Sequence, residues 1–123
     1  MNDLQQLAQR VCAFRDARDW HQFHGLRQLI VSLSLEAAEL LELTQWRRDE
    51  EIEALAESPV GREALADEMA DVLMYLLLLA DGARIDLGAA VLAKLAKNEI
   101  KYPVELAQGS RDKYTVLKAE TRR

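Results

Sequence analysis

The chain has 123 residues, half of them hydrophobic, with 16 Lys+Arg against 21 Asp+Glu and a net charge of -5. That length suits one domain with a sizeable core and is short for two, and the acidic balance argues against a binder of nucleic-acid polymers that works by attraction to phosphates. A single cysteine excludes an internal disulfide framework, and with only two histidines beside it no zinc-finger spacing exists.

Residues 1–6 lack the basic start and apolar run of a signal peptide, and the longest apolar stretch, residues 72–80, is too short to span a bilayer. The expectation is a cytoplasmic protein with no membrane partner. No segment keeps the alternation of a strand, and five glycines and two prolines are the only strong breakers. The predicted fold is therefore all-α, with four main helices.

The first helix covers about residues 3–18, where Leu4, Leu7, Val11 and Phe14 recur at spacings of three and four. Cys12 reads as a small core residue. Residues 19–25 break the pattern and concentrate two aromatics, both histidines and a glycine. They suit a structured loop that walls a pocket, or more plainly a connector with buried aromatics. The second helix spans about residues 26–47, with Leu29, Ile30, Leu33, Ala37, Leu40, Leu41 and Thr44 as its inner face. The acidic residues 49–53 form a solvated connector or a short exposed helix.

Ser58 before Pro59 is a helix start, since serine caps free backbone donors and proline suits the first helical position. The third helix runs from there to about residue 81 and is closed by Gly82. Its run at 72–79 is apolar on nearly every face, which marks a central helix or one buried against another subunit, and a bundle this small favours the second. Asp86 caps a fourth helix over about residues 87–102, ended by Pro103. The bundle thus occupies residues 1–103 and a polar, loosely packed tail residues 104–123.

Two acidic pairs lie inside these apolar helices: Glu36 with Glu39, and Glu68 with Asp71. Residues three apart share a helix face, so side-by-side packing of the two helices converges four carboxylates. Such a cluster repels itself and is costly to desolvate. The simplest neutraliser is a hard dication with oxygen ligands, read here as magnesium. One such pair is ordinarily a solvated helix edge; two on helices that can pair are harder to dismiss. A ferritin-like di-iron centre is disfavoured, because neither helix supplies the required histidine.

At about 100° per residue, Glu36 and Glu39 share an arc with Ser32, Leu43 and Trp46, while Glu68 and Asp71 share theirs with Tyr75. Lys94, Asn98 and Lys101 form a polar stripe on the fourth helix. Lysine offers a point charge to phosphate oxygens, and the aromatic rings offer flat faces to a base. Taken singly, these lysines read as surface charges and these aromatics as core or interface residues.

The string Arg18-Asp19-Trp20-His21-Gln22-Phe23-His24, followed by Glu36 and Glu39, Gln45-Trp46, Glu68, Asp71-Val72, Tyr75, Lys94, Asn98 and Lys101-Tyr102-Pro103, resembles the all-α MazG-type nucleotide pyrophosphatases, and among them the dCTP pyrophosphatase branch. The similarity runs from about Phe14 to Tyr114. It implies a helical bundle that assembles as a homo-oligomer, commonly a tetramer of two dimers. It further implies magnesium-dependent hydrolysis of a nucleoside triphosphate to monophosphate and pyrophosphate. By the same resemblance Glu36, Glu39, Glu68 and Asp71 hold the metal, Lys94 and Asn98 meet the triphosphate or sugar, and Trp20, His24, Trp46 and Tyr75 close around the base. The chain departs from close relatives at Gly25-Leu26, where they carry a proline-containing turn.

The leading expectation is an enzyme that cleaves between the α and β phosphates of dCTP or a modified dCTP in nucleotide-pool house-cleaning. A metal-bound or carboxylate-oriented water is expected to attack the α phosphorus in line with departing pyrophosphate, with Glu36 or Glu39 as general base. Two rivals stand beside it: a dUTP-type or broad-range pyrophosphatase, and a non-catalytic helical oligomerisation module.

Overall fold

The computed structural model describes residues 2–109, and all regular structure among them is helical: six α-helices and one 3-10 turn. The chain packs as two units, Met1–Ile85 and the stretch from Asp86 onward.

In the first unit, α1 (Asp3–Ala17) starts at a capping box in which the Asn2 side chain accepts from the Gln5 N–H at 2.8 Å and the Gln5 side chain accepts from the Asn2 N–H at 3.1 Å. It ends in a left-handed residue, Asp19 (φ 56). Two bonds close it: the Trp20 N–H donates to the Arg15 carbonyl at 3.1 Å and the Asp19 N–H to the Asp16 carbonyl at 3.1 Å. A 3-10 turn at His21–Phe23 leads into α2 (Leu26–Glu42). The acidic connector is a short helix, α3 (Asp49–Leu55), and α4 (Pro59–Ala83) follows with Ser58 accepting from the Gly61 N–H at 3.1 Å and proline at the first position.

α4 is the hub on which α1, α2 and α3 all pack, α2 most extensively. That matches the central-helix reading of its all-round apolar sequence. Among the described residues Leu29, Leu77 and Leu78 form the buried hydrophobic core, Leu29 most completely. At the α3–α4 corner the backbones approach so closely that a Cβ on Gly61 would lie 2.6 Å from the Leu55 carbonyl oxygen, so only glycine fits. Among the described residues no helix is long and apolar enough to cross a membrane.

Four expectations are corrected in detail. The least exposed stripe of α2 is Leu29, Ser32, Leu33, Glu36 and Leu40, continued by Leu43 at its C-cap. Ile30 (51% exposed) and Leu41 (68%) point outward, so the inner face is rotated and carries Glu36. α2 stops at Glu42 and not near Arg47, because residues 43–45 donate to carbonyls three back instead of four. Gly82 does not end α4: the helix continues through it, and Arg84 takes the left-handed position (φ 57), with Ile85 N–H bonded to the Ala80 carbonyl at 2.9 Å. An added Cβ at Gly82 would meet methyls of Leu26 and Leu29 at 3.4 and 3.8 Å, ordinary contact distances, so the position does not demand glycine. Finally, the count is six helices, of which α1, α2, α4 and α5 are the four long ones.

In the second unit, α5 (Leu87–Lys101) is capped by Asp86, whose side chain accepts from the Ala89 N–H at 3.0 Å. Beyond Pro103 the segment expected as a tail opens with a four-residue helix, α6 (Val104–Ala107). Residues 110–123, and with them the end of the family-like stretch at Tyr114, lie outside the described residues.

Candidate metal centre

Because α2 and α4 lie side by side, the two acidic pairs meet. Glu36, Glu39, Glu68 and Asp71 each present a carboxylate oxygen, and these four atoms lie within 4.8 Å of one another. Glu39 is exposed and the other three are half-buried. None of the four has a cationic side-chain partner among the described residues.

The electrostatic consequence is visible in their protonation. Burial, then the adjoining Glu39 carboxylate, then Asp71 and Glu68 push the Glu36 carboxyl up to about 7. Glu68 is raised as well, by burial first and by Glu39 next. One oxygen on each, Glu36 Oε2 and Glu68 Oε2, is buried without a hydrogen-bond partner. Buried polar atoms are ordinarily satisfied. An all-oxygen donor set with two orphaned oxygens and no internal counter-charge fits a hard divalent cation.

Beside the cluster, a cavity of about 150 Å³ is lined by Trp20, His24, Glu36, Asp71 and Tyr75, with Phe14 and Arg15 contributed by α1. The structure therefore gathers five of the sequence-predicted site residues in one recess. Trp20 stands edge-on to Phe14 (centroids 5.8 Å apart, planes at 73°), and the Arg18 guanidinium sits 3.6 Å above the Phe14 ring. His24 Nδ1 is buried with no hydrogen-bond partner. Burial, with the positive Arg15 and His21 nearby, pushes the His24 imidazole below its ordinary value and favours the neutral ring.

Trp46 does not join this recess. It is 91% exposed with φ 62, beyond the end of α2. The helical arc that placed it beside Glu36 and Glu39 needs α2 to run four residues further than it does. Lys94 and Asn98 lie one turn apart on one face of α5, the lysine exposed and the asparagine half-buried.

The residue that sequence patterning misses is Arg15, the one buried charged side chain among the described residues (6% exposed). Its Nε donates to Asp16 at 2.8 Å and its Nη1 to Asp81 of α4 at 2.9 Å. The available signal was a lone arginine three residues after Cys12 and four after Val11, on the inward side of α1.

Comparison with known proteins agrees with this geometry. The model of the MazG-like family matches residues 31–117. dCTP pyrophosphatase 1 of Bos taurus is 49% identical over 104 residues, which is 85% of this chain and 62% of that protein. The Homo sapiens dCTP pyrophosphatase 1 is 47% identical over the same length, covering 85% and 61%. The matched region thus spans about three fifths of these curated relatives. Among solved structures, a pyrophosphatase from Archaeoglobus fulgidus superposes with a TM-score of 0.75 at 44% identity, covering 84% of this chain and 94% of that one.

Proposed function

This chain belongs to the MazG-like family, and from that premise we propose that it hydrolyses a nucleoside triphosphate, dCTP or a modified dCTP, to the monophosphate and pyrophosphate. The observation that carries this reading is the four-carboxylate cluster with orphaned oxygens opening onto a recess walled by Trp20, His24 and Tyr75. A recess with flat faces and one unpaired ring nitrogen suits a base, and the acids beside it suit a metal-bound phosphate chain.

Glu36, Glu39, Glu68 and Asp71 would hold magnesium, which when bound offsets phosphate charge and lowers the cost of its build-up during transfer. Of the four acids Glu36 also lines the recess beside Asp71, which supports it as the group that takes a proton from the attacking water, with Glu39 one turn on as its partner. Trp20 and Tyr75 orient the base and exclude water around it. The neutral His24 ring offers a hydrogen bond to the base or sugar. For Lys94, Asn98 and Trp46 the support is their match to family positions: the first two meet phosphates or sugar, and Trp46 covers the base.

We further propose a homo-oligomer, a tetramer of two dimers. Its support is the thin core of Leu29, Leu77 and Leu78 beside many exposed large apolar residues, Phe23, Met69 and Leu73 among them.

The test is pyrophosphate release screened across the common and modified triphosphates with magnesium. Highest kcat/KM on a deoxycytidine nucleotide is the expected result. Preference for dUTP or a flat profile replaces the substrate and keeps the chemistry, while no release from any triphosphate leaves the non-catalytic module.

A further inference from the structure

A guanidinium is expensive to bury, and the cost is offset only when its donors are met in good geometry. Arg15 meets that condition with two carboxylates, one its chain neighbour Asp16 and the other Asp81, 66 residues away on α4. Its main chain is equally committed, because the Arg15 carbonyl accepts the Trp20 N–H that closes α1. One residue therefore ties the start of the Trp20–His24 segment to α1 through its backbone and ties α1 to α4 through its side chain.

The tie sits at the nucleotide recess. Arg15, His24 and Leu78 line both that recess and a second cavity of about 320 Å³ on which Asp81, Gly82 and Arg84 also open. Asp81 lines only the second. On α4 it lies six residues past Tyr75, roughly 9 Å along the axis, so it braces the wall without belonging to the substrate face.

Resting on the function proposed above, we propose that Arg15 is a positioning residue of the nucleotide site: its ion pair with Asp81 holds Trp20 and His24 in register with Tyr75 and the acids. It touches no reacting atom. Its effect is on how well the base is gripped.

Asp81→Asn is the decisive variant, since it removes the charge of the pair from a side chain outside the substrate recess; Arg15→Met removes the guanidinium and its hydrogen bonds from the other end. Both are expected to raise KM about tenfold while kcat stays within about twofold, the pattern of lost binding and intact chemistry. A brace that serves stability alone would lower the melting temperature and leave the KM of the folded enzyme unchanged. An unchanged KM in Asp81→Asn overturns the proposal, even if Arg15→Met is impaired or fails to fold.

A second readout needs no turnover. In a Trp46→Phe background Trp20 is the sole tryptophan, and its quenching by acrylamide should increase in Asp81→Asn. If the wild type cleaves no triphosphate, the functional reading fails and quenching alone judges the brace, with unchanged quenching overturning it.

Discussion

At Asp81, near the C-terminal end of α4, a carboxylate meets the Arg15 guanidinium at 2.9 Å. About three turns earlier on the same helix, Glu68 and Asp71 face Glu36 and Glu39 of α2, with their oxygens within 4.8 Å and no cation supplied by the described residues. Both places put charge against the same packed helix. In one the protein completes the electrostatics itself, and in the other it leaves them open. A completed pair is a brace, whereas an open cluster of like charges is relieved by a proton or by a cation from outside, and the function proposed above assigns the metal to the open one.

The sharpest way to break this contrast is to neutralise the open cluster. Glu68→Gln should lower kcat/KM by about a hundredfold or more, and pyrophosphate release checks it. Retained activity would return Glu68 to the status of a solvated edge. Next in size is the response to magnesium. At a concentration 100 times the dissociation constant, binding to the native state should add about 2.7 kcal/mol, seen as a rise in melting temperature. A variant with all four acids changed to alanine should show no rise, while Asp81→Asn should keep it.

The pH profile without metal reads the open cluster. Glu36 is raised in the folded protein, from 4.5 to about 7, so between those values the native state binds the extra proton. Stability contributed by the protonated form is present below about 4.5 and is lost as pH rises through about 7. In chelator, the wild type should therefore lose stability across that window more steeply than Glu36→Gln, as followed by denaturant melts at a series of pH values. The smallest effect belongs to the brace: Asp81 is half-exposed and Arg15 keeps Asp16, so Asp81→Asn should cost about 1 kcal/mol in a urea titration.

The long helices were readable because their signals are local: the Ser58-Pro59 start, the Asp86 cap and the three-and-four spacing of α1 all act within a turn or two. The acidic pairs were readable for the same reason, each being one turn of one helix, although only packing could bring Glu36 and Glu39 to Glu68 and Asp71. What failed depended on distant parts of the chain or on a helix end. The end of α2 has no glycine or proline to announce it, so Trp46 was assigned to an arc that the helix does not reach. The inner face of α2 was rotated because a carboxyl, Glu36, occupies a place that hydrophobicity alone gives to Ile30 or Leu41. Arg15 was passed over because its partner lies 66 residues away and nothing near it in sequence foretells burial.

The orphaned oxygens of Glu36 and Glu68 also bear on engineering. A mutant library sorted for heat resistance in EDTA should enrich amide or apolar replacements at these two positions, since relieving a strained functional site is a common route to a tougher protein. Under the function proposed above, the winners of such a sort would be the catalytically dead members, so a thermostabilisation campaign on this scaffold would be run with the dication present.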